Sequence, residues 1–291
     1  MPETGKERLL AFSYELSCDK VPLIVSSDYK LRFPACPTCK LSGRDGRMAT
    51  KSKLGPGRRV HCGMVVPNRT WDHVFPRGWY PEDTPRNLEK WKVPACLRCN
   101  AEYGRIEEEL GILIALCIGP GAPNAKGMYR KALRSMDPSR GRNFKDRVRR
   151  EQKRQKVLQR LIKGRAIPDE GAYPGLEERW GRPREEQLAV HVPSAHLHRL
   201  VEKIVKGIAF IEDGRYVDSS AEIKHHVITQ EGAEPLLQLL QRHGKIHSRA
   251  PGIEVLRAVT PEDGVSAIYK MTIWGQLVMY ASVLRTGAKQ R

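Results

Sequence analysis

Apolar positions recur at helical spacing in one long stretch of the first half of the chain. Ile106, Leu110 and Leu113 follow one another at the three- and four-residue intervals of a helix face. The pattern stops at residues 119–123, which read Gly-Pro-Gly-Ala-Pro and break a helix. The sequence therefore predicts a helix that begins at the pair Cys96-x-x-Cys99 and ends near residue 118.

The last third of the chain mixes the helical period with the alternation of strands. Leu197, Leu200, Val201, Ile204 and Ile208 predict a helix over residues 195–210, and a second helix is predicted over 233–240. Four stretches have strand character, namely 215–217, 223–228, 253–259 and 266–284. The last of these contains Gly275, a predicted turn or bulge. A small α+β domain of unknown role is therefore expected over residues 186–291.

Between these regions lies a strongly basic segment. Residues 126–165 contain sixteen Lys or Arg and three acids, with sparse apolar positions at helical spacing, and residues 166–190 are rich in Pro and Gly. This pattern predicts a basic helical connector and linker over residues 121–185. It is either a helix that lies along a phosphate backbone or a solvated connector. The candidate phosphate contacts are Arg149, Arg150, Lys153 and Arg154.

Composition narrows the class of partner. The chain of 291 residues has 51 Lys or Arg against 33 Asp or Glu and a formal net charge of +18, which favours nucleic acid. No apolar run reaches the roughly 20 residues of a membrane span, and the polar N-terminus does not resemble a signal peptide. We therefore expect a cytoplasmic protein with no membrane partner.

All seven cysteines lie in residues 1–120, and four of them form two Cys-x-x-Cys pairs, Cys36 with Cys39 and Cys96 with Cys99. Because the cytosol keeps thiols reduced, metal binding explains these pairs better than disulfides do. Cys62, next to His61, is an alternative metal ligand. Cys117 lies in an apolar run and is expected to be a buried, inert thiol.

Three motifs stand in a fixed order in this cysteine-rich region. Asp72-His73 comes first, Asn87 follows, and Cys96-x-x-Cys99-Asn100 comes last. In their order and spacing they resemble the HNH endonuclease family, over residues 33 to 118. The resemblance implies an N-terminal ββα-metal nuclease domain, here residues 1–120, with a structural zinc held by Cys36, Cys39, Cys96 and Cys99.

The resemblance also implies a role for each motif residue. His73 would be the general base, Asp72 and Asn100 would bind a catalytic Mg²⁺ or Mn²⁺, and Asn87 would fix the loop. A neutral imidazole accepts a proton near neutral pH, and carboxylate and amide oxygens suit a hard ion. Family members often carry Lys shortly after the last motif, where this chain has Tyr103-Gly104-Arg105. Arg105 is therefore the candidate phosphate contact there.

The resulting expectation is a metal-dependent endonuclease that hydrolyses phosphodiester bonds of DNA. Double-stranded DNA is the expected partner, and cutting both strands would favour a homodimer. The alternative is a zinc-dependent nucleic-acid-binding module without catalysis. A further hypothesis has the C-terminal domain recognise a protein or small ligand and gate the nuclease.

Overall fold

The computed structural model describes residues 20–25, 54–118, 121–163, 188–218, 220–228 and 230–285. Over these ranges the chain is a mixed α+β protein, as predicted, with five α-helices, two larger sheets and two short hairpins. Cys36 and Cys39 lie outside the described residues. None of the helices in these ranges is long and apolar enough to cross a membrane.

Two hairpins and a long helix form the cysteine-rich unit. Strands β2 (Gly57–Arg58) and β3 (Val65–Val66) make the first hairpin, and β4 (Thr70–His73) and β5 (Lys92–Ala95) make the second. Helix α1 (Leu97–Cys117) follows directly, which confirms the predicted helix. Cys96 caps it, because its Sγ accepts a hydrogen bond from the Cys99 amide at 3.2 Å.

The basic segment folds as two helices rather than one. Helix α2 (Met128–Met136) ends before the Asp137–Pro138 break, and α3 (Phe144–Leu158) begins after it. Asn143 caps α3 by accepting a hydrogen bond from the Asp146 amide at 2.9 Å. The short strand β6 (Leu161–Lys163) ends this segment.

A three-stranded antiparallel sheet and a helix come next. Strand β7 (Leu188–Pro193) lies between β1 (Lys20–Val25) and β6, at the start of the predicted C-terminal α+β domain and at the end of the Pro- and Gly-rich stretch 166–190. Ala189, Val190 and Val192 of this strand are buried, so its apolar residues belong to the core. Helix α4 (Ser194–Asp213) follows and confirms the helix predicted over residues 195–210.

The C-terminal part is a five-stranded antiparallel sheet with strand order β8-β12-β11-β10-β9. Its elements are β8 (Ala221–His226), α5 (Gln230–His243), β9 (Lys245–Arg249), β10 (Ile253–Val259), β11 (Ala267–Ile273) and β12 (Leu277–Arg285). The predicted helix over 233–240, the strand over 253–259 and a turn at Gly275 are confirmed.

Two features of this part differ from the sequence prediction. The strand predicted over residues 215–217 is wrong, because these residues form no strand. Tyr216 and Val217 pack against the core after α4, which explains their apolar character without a strand partner. The sequence also does not predict β9.

One hydrophobic core contains side chains from both ends of the described chain. Trp79, after β4, packs against Trp274 of the β11–β12 turn, and the Trp274 indole donates to the Trp79 carbonyl at 2.6 Å. On α4, an added Cβ at Gly207 would lie 2.5 Å from Val74, so glycine lets this helix approach the end of β4 closely. The close approach places α4 over the second hairpin.

Candidate functional site

Strand β4 presents the Asp72-His73 pair on two opposite faces. Side chains alternate along a strand, so Thr70 and Asp72 share one face while Trp71 and His73 share the other. Thr70 and Asp72 are buried, His73 is half-buried and Trp71 is 43% exposed. The two neighbouring residues of the motif therefore have different surroundings.

The buried face holds Asp72 in a charged network. Its Oδ2 lies 2.9 Å from His61 Nε2 and 3.1 Å from Lys203 Nζ. Lys203 extends from α4, is completely buried and also pairs with Glu107 of α1. Helix α4 and the first hairpin thus meet at the Asp72 carboxylate, and α1 joins them through the pairing of Glu107 with Lys203.

The charges of this network set the pKa values of its members. Burial raises the pKa of Asp72, but the hydrogen bond from His61 and the charge of Lys203 outweigh burial and hold it below its usual range. Burial lowers the pKa of His61 and raises that of Glu107 to about 6. The buried Lys203 ammonium therefore lies between two carboxylates, those of Asp72 and Glu107.

Asp72 and Asn100, the ligands predicted for a divalent ion, lie on adjoining elements, although Asp72 already pairs with the buried Lys203 ammonium. Both contacts of Asp72 use Oδ2, and no residue in the described part of the chain hydrogen-bonds Oδ1. The amide of Asn100, in the first turn of α1, donates to the Trp71 carbonyl at 3.3 Å and so lies beside β4. Oxygen ligands oriented by further hydrogen bonds are typical of Mg²⁺ and Mn²⁺ sites.

The exposed face carries His73 opposite Lys92 of β5. Burial lowers the pKa of His73, and the positive charge of Lys92 lowers it further, so the ring is neutral at pH 7. Within the described ranges no side chain or backbone group hydrogen-bonds this ring. A neutral, half-buried imidazole with a free nitrogen is able to accept a proton.

Asn87 lies in the loop between β4 and β5, away from these contacts. Its side chain is exposed and makes no hydrogen bond to any described residue, while the Leu88 amide donates to the Pro85 carbonyl at 3.1 Å. The turn is therefore closed by the backbone. The role predicted for the Asn87 side chain in fixing the loop has no contact to support it.

Three thiols meet at the start of α1. The sulfur atoms of Cys62, Cys96 and Cys99 lie within 4.8 Å of one another and form a group that can hold a metal ion. Cys62 lies in the turn between β2 and β3. The sequence named it only as an alternative, because it belongs to no Cys-x-x-Cys pair.

The thiols perturb one another. Burial and the neighbouring Cys96 and Cys62 raise the pKa of Cys99 to about 12. Burial also raises the pKa of Cys96, but the Cys99 amide and the Arg59 guanidinium outweigh burial and hold it below its usual range. Three thiolates this close need a bound cation to coexist, and thiolate ligands suit Zn²⁺.

The predicted phosphate contacts of α3 have acidic partners within the protein. Arg149 and Lys153 pair with Glu108 of α1, Arg150 pairs with Asp146, and Arg154 pairs with Glu151. Arg105 lines the groove between α1 and α3 together with Arg149 and Lys153. Arg149 and Lys153 therefore join α3 to α1 through Glu108, whereas Arg150 and Arg154 pair with acids of α3 itself.

Comparison with known proteins identifies no relative of this chain. No protein-family model, curated protein or solved structure matches this chain. The resemblance to HNH endonucleases stays a prediction from the motif residues.

Proposed function

We propose that this chain is a metal-dependent endonuclease of the HNH type, which hydrolyses phosphodiester bonds of nucleic acid with His73 as the general base. The observation that carries the proposal is the position of His73. It ends the first strand of a hairpin that leads directly into a helix, and its neutral ring is accessible and free of hydrogen bonds to other described residues.

In the proposed reaction His73 takes a proton from the water that attacks phosphorus. Lys92 and Arg77, whose charges act on the His73 ring, would attract the phosphate and offset the charge that develops on it. The resemblance implies Asp72 and Asn100 as ligands of a divalent ion, which would supply Lewis-acid stabilisation of the phosphate and of the leaving oxygen. In this structure Asp72 faces away from His73, so the described contacts do not bring this ligand to the phosphate. His61 and Lys203 keep the Asp72 carboxylate in place.

A structural zinc at the start of α1 belongs to the same proposal. Cys62, Cys96 and Cys99 are three of its ligands, so the turn of the first hairpin takes part in the site beside the Cys96-x-x-Cys99 pair. Because Asn100 directly follows Cys99, metal binding would also fix the start of the helix that carries Asn100. Cys36 and Cys39 stay candidates for the fourth ligand.

A second function, a zinc-dependent nucleic-acid-binding module without catalysis, is favoured by the burial of Asp72. This carboxylate is 6% exposed, is paired with Lys203 and faces away from His73. In that case the network is structural, and the protein binds nucleic acid without any need for His73 or for a divalent ion.

Plasmid cleavage by the purified full-length protein separates the two functions. Supercoiled DNA is incubated with Mg²⁺, Mn²⁺ or no added divalent ion, beside the His73→Ala variant and with zinc content measured in each preparation. The nuclease proposal predicts metal-dependent nicking that His73→Ala loses. Retained DNA binding with no cleavage under any ion contradicts the proposal and supports the binding module.

A further inference from the structure

The exposed face of β4 carries a large aromatic side chain that the proposed reaction does not use. Trp71 is 43% exposed, whereas Trp79, Trp91 and Trp274 are at most 5% exposed. An indole has a large apolar surface and is normally buried, at least in part, against a partner. Trp71 also lies on the same face of the strand as His73, two residues away.

Two exposed cations act on His73, which lies two residues from Trp71 on the same face of β4. Lys92 is exposed and directly opposite His73 in the hairpin, and Arg77 is exposed in the turn that follows β4. The charges of both residues act on the His73 ring. Asp72, the acid nearest in sequence, lies on the buried face with Lys203.

An exposed indole with cations beside it matches the chemistry of an unpaired nucleotide. The ring stacks on a base, and the cations bind the phosphates on either side. Within a duplex the faces of the bases already stack on one another, so an indole at the protein surface can stack only on a base that is unpaired.

We propose that Trp71, Lys92 and Arg77 form a surface that binds an unpaired nucleotide beside the phosphate attacked at His73. The position of the attacked phosphate rests on the proposed nuclease function, whereas binding at this surface does not. The substrate class is therefore single-stranded nucleic acid, or a duplex with unpaired bases at the cutting point.

The test measures binding separately from cleavage. Full-length His73→Ala protein, which cannot cut under the proposed mechanism, is titrated into fluorescein-labelled single-stranded DNA and into the matching duplex, and anisotropy is recorded. The expected result is tighter binding of the single strand. Adding Trp71→Ala should weaken single-strand binding roughly 5- to 150-fold, the range for loss of one base stack, while Trp71→Phe keeps most of the affinity.

Phe144 provides a matched control, because it is another exposed aromatic residue among basic neighbours, 81% exposed at the start of α3. Phe144→Ala should leave the affinity unchanged. The proposal is overturned if Trp71→Ala binds the single strand as tightly as its parent, if Phe144→Ala loses as much, or if the duplex binds equally well. A Trp71 effect in a protein that cuts neither plasmid nor single-stranded DNA would support this surface while the nuclease proposal fails.

Discussion

The two faces of strand β4 differ more than any other pair of neighbouring surfaces in the candidate site. On the buried face Asp72 is locked by His61 and Lys203, side chains from the first hairpin and from a helix more than a hundred residues away. On the other face Trp71 is exposed and His73 is half-buried, and neither side chain hydrogen-bonds a described residue. The contrast indicates that one face holds the fold together and leaves the other free for a ligand.

The largest expected effect concerns the thiols that support the buried face. Cys62 directly follows His61, so a metal at Cys62, Cys96 and Cys99 fixes the turn that supplies the His61–Asp72 hydrogen bond. Cys62→Ser should remove bound zinc and destabilise the hairpin–helix unit by several kcal/mol, since zinc contributes on the order of 10 kcal/mol in small zinc modules.

Zinc per chain by elemental analysis and urea unfolding measure this effect. Cys117→Ser is the matched control, because the Cys117 thiol is buried in α1 and donates to the Leu113 carbonyl, a bond that serine can keep. Full zinc occupancy in Cys62→Ser would show that this thiol is not a ligand.

The second prediction removes the central charge of the buried face. Lys203→Met leaves Asp72 and Glu107 buried without their cation and should cost about 3–5 kcal/mol in the free energy of unfolding. Lys245→Met is the control, since Lys245 pairs with Glu212 at the surface and should contribute at most about 1 kcal/mol. Equal urea midpoints for the two variants would contradict a structural role for the buried face.

The third prediction uses the pKa of Glu107, which burial raises to about 6 from an ordinary value of 4.5. The folded protein binds this proton more tightly than the unfolded chain does. The stability that it contributes is therefore fully present below pH 4.5 and is lost as pH rises through about 6.

Relative to Glu107→Gln, the wild-type protein should lose about 2 kcal/mol of stability between pH 4.5 and pH 7. Urea unfolding of both proteins across this range measures the difference. Parallel stability curves would mean that Glu107 does not titrate differently in the folded state.

The resemblance and the helical periods already predicted much of this arrangement from sequence. Helix α1, the strand over 253–259 and the order Asp72, His73, Asn100 can be read from local pattern. The opposite directions of Asp72 and His73 also follow from alternation along a strand, although the motif names them as a pair. Local pattern was sufficient for these elements, but it missed β9, which pairs with its neighbour β10.

Contacts across long sequence separations could not be predicted in this way. Nothing in the sequence around Lys203 indicates that it reaches Asp72, because a lysine on a helix is usually exposed. Likewise, the basic run of α3 suggests a phosphate-binding face until the fold places Glu108 of α1 against Arg149 and Lys153. A charge pattern in the sequence predicts the sign of the charge on a surface. It does not predict which part of the protein packs against that surface.

The smallest expected effect is on the salt dependence of nucleic-acid binding. It is measured for the exposed face of β4 and for α3. Replacing Lys92 and Arg77 with Gln should lower the slope of log affinity against log salt by about 0.7 per lost phosphate contact on single-stranded DNA. Replacing Arg149 and Lys153 with Gln should lower the slope by less, because both pair with Glu108, which offsets one of their two charges. A larger change in slope for the variant of Arg149 and Lys153 would indicate that α3, rather than the exposed face of β4, contacts the nucleic acid.

The most direct test of the central claim measures cleavage and stability on one preparation of His73→Ala. If the exposed face is catalytic and carries little of the fold, plasmid nicking should fall by at least about 10²-fold while the urea midpoint stays at the wild-type value. Nicking at the wild-type rate by His73→Ala, or a loss of stability as large as that of Lys203→Met, would contradict the account.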